Sequence, residues 1–281
     1  MKKKHILIGG ICSLIIGVLI CLLVYDLESI DTFRTMQDEI PVAENVNLKG
    51  LRDLHASGGH IPRFSELQEK IPSSFSRRII LDLTTESHGY VKGIPANFFG
   101  YHLPSPKIKH IPRRIVYLGS LEKHPEYIIS EADEAKKYNF EYKNIALGSK
   151  FITRDKNVDA FVQFFDDLPP DTWVHFHCVQ GKGRTSLALV MLDIMKNAPE
   201  ISLDDIVKRQ FALGSVNLFD VALWKKPNYT TKQLHDRKGF IENFYAFISQ
   251  RKAGGIQSWS EWKKTMKMTP VAAQNPSGEE K

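Results

Sequence analysis

The sequence predicts an α/β protein, a sheet flanked by helices, and three observations carry that expectation. Short apolar runs of strand length occur at Ile79–Leu83 and Trp173–His177, each bounded by polar loop residues. Apolar side chains recur at helical spacing at Val158, Phe161, Val162, Phe165 and Leu168, and again at Leu187, Val190, Met191, Ile194 and Met195. The two kinds of segment alternate along the chain, the order that builds a sheet with helices on its faces. A chain of 281 residues, 42% hydrophobic and 25% charged, can build such a core without disulfide or metal.

Taken in order, residues 26–50 are polar and hold the phrase Phe33-Arg34-Thr35-Met36. Arg77-Arg78 lead into the first strand, which stops at the polar loop Thr84 to Gly89. Gly93 to Pro112 is rich in Pro, aromatic and basic residues without helical period. It reads as loops and short strands, a small β subdomain within about 35–115. Ser130-Glu131-Ala132-Asp133 has capping-box spacing, so a helix starts there, and Tyr142 to Leu147 is the next strand. Asn157 is placed to cap the helix that Pro169-Pro170 ends. Ser202 to Asp205 opens a further helix, and Phe240, Phe244, Phe247 and Ile248 mark a long late one. The expected organisation is an N-terminal segment 1–25, a single domain 26–268 and a polar tail 269–281.

Ile6 to Tyr25 is uncharged and apolar, long enough for a bilayer-spanning helix, and Lys2-Lys3-Lys4 precede it. Its exit, Leu22-Leu23-Val24-Tyr25-Asp26, lacks a small-x-small cleavage site. The expectation is a membrane anchor with the rest of the chain outside the cytoplasm, or a secreted protein if the segment is cleaved. Cys12 and Cys21 lie inside it, which leaves Cys178 without a disulfide partner. The net charge of +6 owes half its excess to those first lysines, so nucleic acid is not the expected partner.

The informative segment is His177-Cys178-Val179-Gln180-Gly181-Lys182-Gly183-Arg184-Thr185, set between a strand and a helix. Gly181 and Gly183 let the backbone curl, so the amides of Val179, Gln180, Gly181, Lys182 and Gly183 can converge on an anion, reinforced by the helix N-terminus. Such a cradle suits a phosphate dianion and equally a thiolate at Cys178, which would be nucleophilic at neutral pH. Arg184 can fold back to grip two phosphoryl oxygens, and Thr185 can donate to the sulfur. A Walker loop would need Ser or Thr after Lys182, where Gly183 stands. Zinc at His175, His177 and Cys178 would lack a fourth ligand, and a buried structural Cys would leave Arg184 unexplained.

At these residues the chain resembles the protein-tyrosine-phosphatase superfamily, with its His-Cys, five residues, Arg, then Ser or Thr. More narrowly it resembles the bacterial cysteine phytases, which hydrolyse inositol polyphosphates. The likeness extends to Phe33-Arg34-Thr35, Asp82-Leu83 with Glu86-Ser87-His88-Gly89, Leu168-Pro169, Arg209-Gln210, Glu242 to Tyr245, and Gly255 with Trp259-Ser260 and Trp262. The resemblance implies a phosphatase central sheet flanked by helices, with a small partial β-barrel subdomain. It further implies a cysteinyl-phosphate mechanism on Cys178 and Arg184, supported by His177, Glu86 and His88. Arg34, Lys182, Arg237 and Lys238 match, or lie beside, positions where that family gathers positive charge around its substrate. No metal or organic cofactor is implied.

The departure from the family is in the general acid. Overlaid without gaps, Ser149 stands at the family's Asp and Lys150 at its His, so Asp155 is the nearest substitute. Losing an acid typically costs about 100- to 10,000-fold on a poor leaving group. The expected activity is an exported phosphomonoesterase acting on inositol polyphosphates. The alternatives are a tyrosine or dual-specificity protein phosphatase acting on a phosphoprotein, and a weakly catalytic inositol-phosphate-binding protein.

Overall fold

The computed structural model describes residues 10–18, 21, 32–40, 46–86, 88–105, 107–148, 153–222 and 229–268. Their central sheet takes five strands: β1 (Arg34–Thr35), β2 (Ala56–His60), β3 (Arg77–Asp82), β7 (Glu141–Asn144) and β8 (Thr172–Cys178). The spatial order is β1-β2-β8-β3-β7, parallel throughout except for β1. Every residue of β8 is buried, as befits the middle strand of a parallel sheet. A smaller antiparallel sheet holds β4 (Gly89–Val91), β5 (Ile94–Pro95) and β6 (Ile129–Ser130), in the order β5-β4-β6. The α/β class with a small second sheet is therefore as expected.

The described helices are α1 (Phe64–Lys70), α2 (His110–Leu118), α3 (Glu131–Lys137), α4 (Asp155–Asp166), α5 (Gly183–Asn197), α6 (Leu203–Ala212), α7 (Thr231–Lys252) and α8 (Trp259–Met268), with residues 10–18 also helical. Two of the expected starts hold. Ser130 Oγ accepts from the Asp133 amide, and Ser202 Oγ from the Asp205 amide. Asn157 does not cap α4. The cap position is Arg154, and Asn157 sits in the first turn, where its side-chain amide donates to the Ala146 carbonyl at 2.6 Å. The strand expected to reach Leu147 ends at Asn144, whose side-chain amide donates to the Asp82 carboxylate and to the Thr84 carbonyl.

Contacts divide the chain into two compact units. One comprises Met1–Asp38, His55–Asn144 and Pro170–Ser186, and it contains both sheets. Its larger core packs Phe64, Ile80, Tyr90, Phe140 and Trp173, and a smaller one packs Val91, Ala96, Phe98 and Phe99. The other unit comprises Glu39–Leu54, Ile145–Pro169 and Leu187–Lys281. There Phe244 and Phe247 of α7 meet Trp259, and α8 also packs on α4. The expected N-terminal anchor lies mostly outside the described residues. Among those described, no helix is long and apolar enough to cross a membrane.

Candidate active site

Parallel strands end together, and here the shared carboxyl end carries the chemistry. His60 of β2 is in register with Cys178, and Asp82 of β3 with His177. From Cys178 the chain turns through Gly181, whose φ is +67°. A Cβ at Gly181 would lie 2.4 Å from the His60 nitrogen, so only glycine fits the approach of this loop to β2. The turn ends at the N-terminus of α5.

Cys178 is 4% exposed, yet its sulfur has polar company. The Thr185 hydroxyl lies 3.3 Å from Sγ and 3.3 Å from the Gly59 carbonyl. Burial alone pushes the thiol up. The Thr185 hydroxyl, the Thr185 and Gln180 amides and the Arg184 charge outweigh it, so the group falls below the usual thiol value. Arg184 is 9% exposed, and its Nη1 lies 3.2 Å from Glu86 Oε2. Burial raises the Glu86 carboxyl, but Arg184 and local amides bring it below the carboxylate norm. A guanidinium aligned by a carboxylate beside an ionisable thiol can hold a tetrahedral oxyanion.

Behind the loop lies a buried charge cluster. His177 Nε2 is 3.1 Å from Glu131 Oε1 and 3.8 Å from Asp82 Oδ1. Neither ring nitrogen is aligned for a hydrogen bond, so the contact is charge against charge. Burial would lower the imidazole, but Glu131 and then Asp82 raise it above its ordinary value. Asp82 is itself held by the Tyr142 hydroxyl at 2.8 Å and the Thr84 amide at 2.9 Å. The His175 ring pairs with Ser57 at 2.9 Å, and Ser57 also accepts from the Trp173 indole. His175 therefore shares no ligand set with His177.

The loop borders a cleft of about 1150 Å³. Val179, Gln180, Glu86 and His88 lie along it, together with Arg63, Lys70, Lys107, Lys109 and Arg113. His88 also bonds Thr84 Oγ1 at 2.7 Å. Burial, and after it the charges of Arg113 and Lys109, hold His110 at about 4. None of these five cations, nor Glu131, was singled out as a site residue from the sequence. The one signal was the basic bias of the stretch Gly93 to Pro112.

The comparisons with known proteins agree with this fold. The sequence model of the PTP-like phytase family, described by inositol hexakisphosphate, matches residues 105–196. The tandemly repeated protein tyrosine phosphatase like phytase of Mitsuokella multacida is 28% identical with a TM-score of 0.66, covering 89% of this chain and 46% of that one. The chain belongs to the PTP-like phytase family. The PTP-like myo-inositol phosphatase of Mitsuokella multacida, solved with myo-inositol-(1,3,4,5)-tetrakisphosphate, is 26% identical with a TM-score of 0.62, covering 83% of this chain and 46% of that one. The chain thus spans about half the length of those two solved chains. The protein AvrBs1.1 of Xanthomonas euvesicatoria is 32% identical over 96 residues, which are 34% of this chain and 92% of that protein.

Other residues drawn from the family resemblance have different surroundings. Arg34 is 3% exposed, and its guanidinium donates to the Thr32 and Gly181 carbonyls at 2.9 and 3.0 Å and to Ser186 Oγ at 3.1 Å. It braces the loop through Gly181 and Ser186. Burial lowers it to about 10, against an opposing pull from Cys178. Lys182 is exposed on the loop and does not line the cleft. In the second unit, Arg237 reaches the Asn217 and Asp220 carbonyls, and Lys238 sits over the Phe219 ring, 3.9 Å from Glu242. Asp155 opens α4, and its Oδ1 accepts from the Trp259 indole at 2.9 Å and the Lys263 ammonium at 2.7 Å. Those partners tie α4 to α8. Ser149 and Lys150 lie outside the described residues.

Proposed function

We propose that the chain is a cysteine-dependent phosphomonoesterase that acts on inositol polyphosphates. The observation that carries the reading is a thiol below its ordinary pKa, backed by Thr185 and Arg184, at the start of a loop whose Val179 and Gln180 border a cleft lined by five cations. The Cys178 thiolate attacks phosphorus, the bond to the inositol oxygen breaks with its electron pair leaving on that oxygen, which takes a proton from water, and the phosphoryl group rests on sulfur. Water then attacks phosphorus, restoring the thiolate and releasing inorganic phosphate. Arg184 grips the equatorial oxygens through both steps, with Glu86 holding its orientation. The remaining phosphates of the ring meet Arg63, Lys70, Lys107 and Lys109. A relative's complex with an inositol tetrakisphosphate supports that substrate class.

The test is phosphate release from inositol hexakisphosphate, a phosphotyrosine peptide and an aryl phosphate, with Cys178→Ser alongside. Inositol phosphate turnover should exceed peptide turnover and vanish in the variant. Faster turnover of the peptide than of any inositol phosphate overturns the substrate assignment. One observation favours a second reading, weak turnover with retained binding: the Asp155 carboxylate is already committed to Trp259 and Lys263. In that case aryl phosphate is hydrolysed and inositol hexakisphosphate is bound without release of phosphate.

A further inference from the structure

Helix α2 (His110–Leu118) is built inside out. It buries His110, Arg113 and Arg114, while Ile111, Ile115 and Val116 face solvent. The buried cations lie against aromatic faces and carbonyls. Arg113 lies over the Phe98 ring at 4.8 Å, and Arg114 Nε donates to the Phe99 carbonyl at 2.9 Å. The preceding turn continues the spiral, with the His110 amide bonded to the Lys107 carbonyl and the Ile111 amide to that of Ile108. Ile108, Ile111 and Ile115 therefore share one face at i, i+3 and i+7. Ile108 is 84% exposed and Ile115 51%. A helix that spends its apolar face on water is unusual for a monomer surface and marks a contact.

The charge around that face says what it meets. Between Glu86 and Glu122 the sequence has no Asp or Glu, and its cations are Lys92, Lys107, Lys109, Arg113 and Arg114. Lys107 and Lys109 flank Ile108 and are exposed. Aliphatic side chains set among lysines, on a convex helix, match the boundary between headgroups and acyl chains of an anionic bilayer. We propose that the Ile108–Ile111–Ile115 face docks this chain onto an anionic phospholipid surface. Lys107 and Lys109 also line the cleft, so docking sets the cleft mouth at the level of the headgroups. The docking does not depend on the chemistry proposed for Cys178.

The experiment is co-sedimentation of the full chain with vesicles of phosphatidylcholine alone and of phosphatidylcholine containing phosphatidylserine. Wild type is compared with Ile108→Ser/Ile115→Ser and with Lys107→Gln/Lys109→Gln. Binding to the serine-lipid vesicles should fall about tenfold or more in the isoleucine variant. In the lysine variant it should lose its salt dependence. Thermal unfolding should be unchanged in the isoleucine variant, because both side chains are exposed. Equal vesicle binding by wild type and the isoleucine variant overturns the proposal, as does absence of binding by wild type. A wild type that self-associates while the isoleucine variant sediments as a monomer assigns the face to a second copy of the chain instead.

Discussion

Each unit of the molecule buries a charge cluster, and the two are finished differently. In the second unit Arg209 and Asp193 are both fully buried, and every nitrogen of the guanidinium has an acceptor. Gln210 adds a donor to the same carboxylate at 2.9 Å. In the first unit the His177 nitrogens and Glu131 Oε2 are buried without hydrogen-bond partners, and the Cys178 thiol is held toward ionisation beside an open cleft. A guanidinium with every nitrogen paired fixes structure, whereas an ionisable thiol beside Arg184 can meet a phosphoryl group.

The comparison can be broken most directly at Cys178. Cys178→Ser should cut phosphate release by on the order of 10⁴-fold while leaving the unfolding midpoint intact at pH below the lowered thiol value. Arg209→Met should do the reverse, costing about 3–5 kcal/mol in urea unfolding by stranding Asp193. Adding Asp193→Leu should recover most of that loss. A single-variant cost below about 1 kcal/mol would remove the structural half of the contrast.

Glu131→Gln comes next, at about 2 kcal/mol, and its signature is pH dependence. Folding raises His177 above the ordinary imidazole value. Its proton therefore contributes stability that is complete below that ordinary value and is lost as pH climbs past the raised one. Unfolding curves across this range should flatten in Glu131→Gln. Cys178 works in the opposite sense, contributing above the ordinary thiol value and losing it as pH falls through the lowered one. Thr185→Val should move the pH midpoint of iodoacetamide alkylation of Cys178 upward and slow turnover about tenfold. Glu86→Gln should matter least, about threefold in kcat/KM, because Glu86 is mostly exposed and water screens its hold on Arg184.

Much of the site was legible because its parts are contiguous. Cys178, Gly181, Arg184 and Thr185 lie in one strand–loop–helix passage, and local spacing is enough to imply a cradle. Glu131 was read only as part of a helix start, since nothing near it in sequence indicates that β6 delivers it to His177. Helix α2 escaped notice for a related reason. Its buried face is basic and its exposed face aliphatic, which inverts the pattern on which helical periodicity is recognised. Arg34 was legible as important, but its bonds to Gly181 and Ser186 were not, because those partners lie about 150 positions away in sequence.

By itself, then, the sequence determined the α/β class and the local chemistry of residues 177–185, because hydrophobic period and turn residues act over a few positions. Tertiary structure alone decided which distant charges meet: Glu131 against His177, Glu86 against Arg184, Arg34 against Gly181, and the cations of the cleft around them. The reason is physical. Electrostatic partners are chosen by distance and desolvation in the folded chain, and neither quantity is written along it.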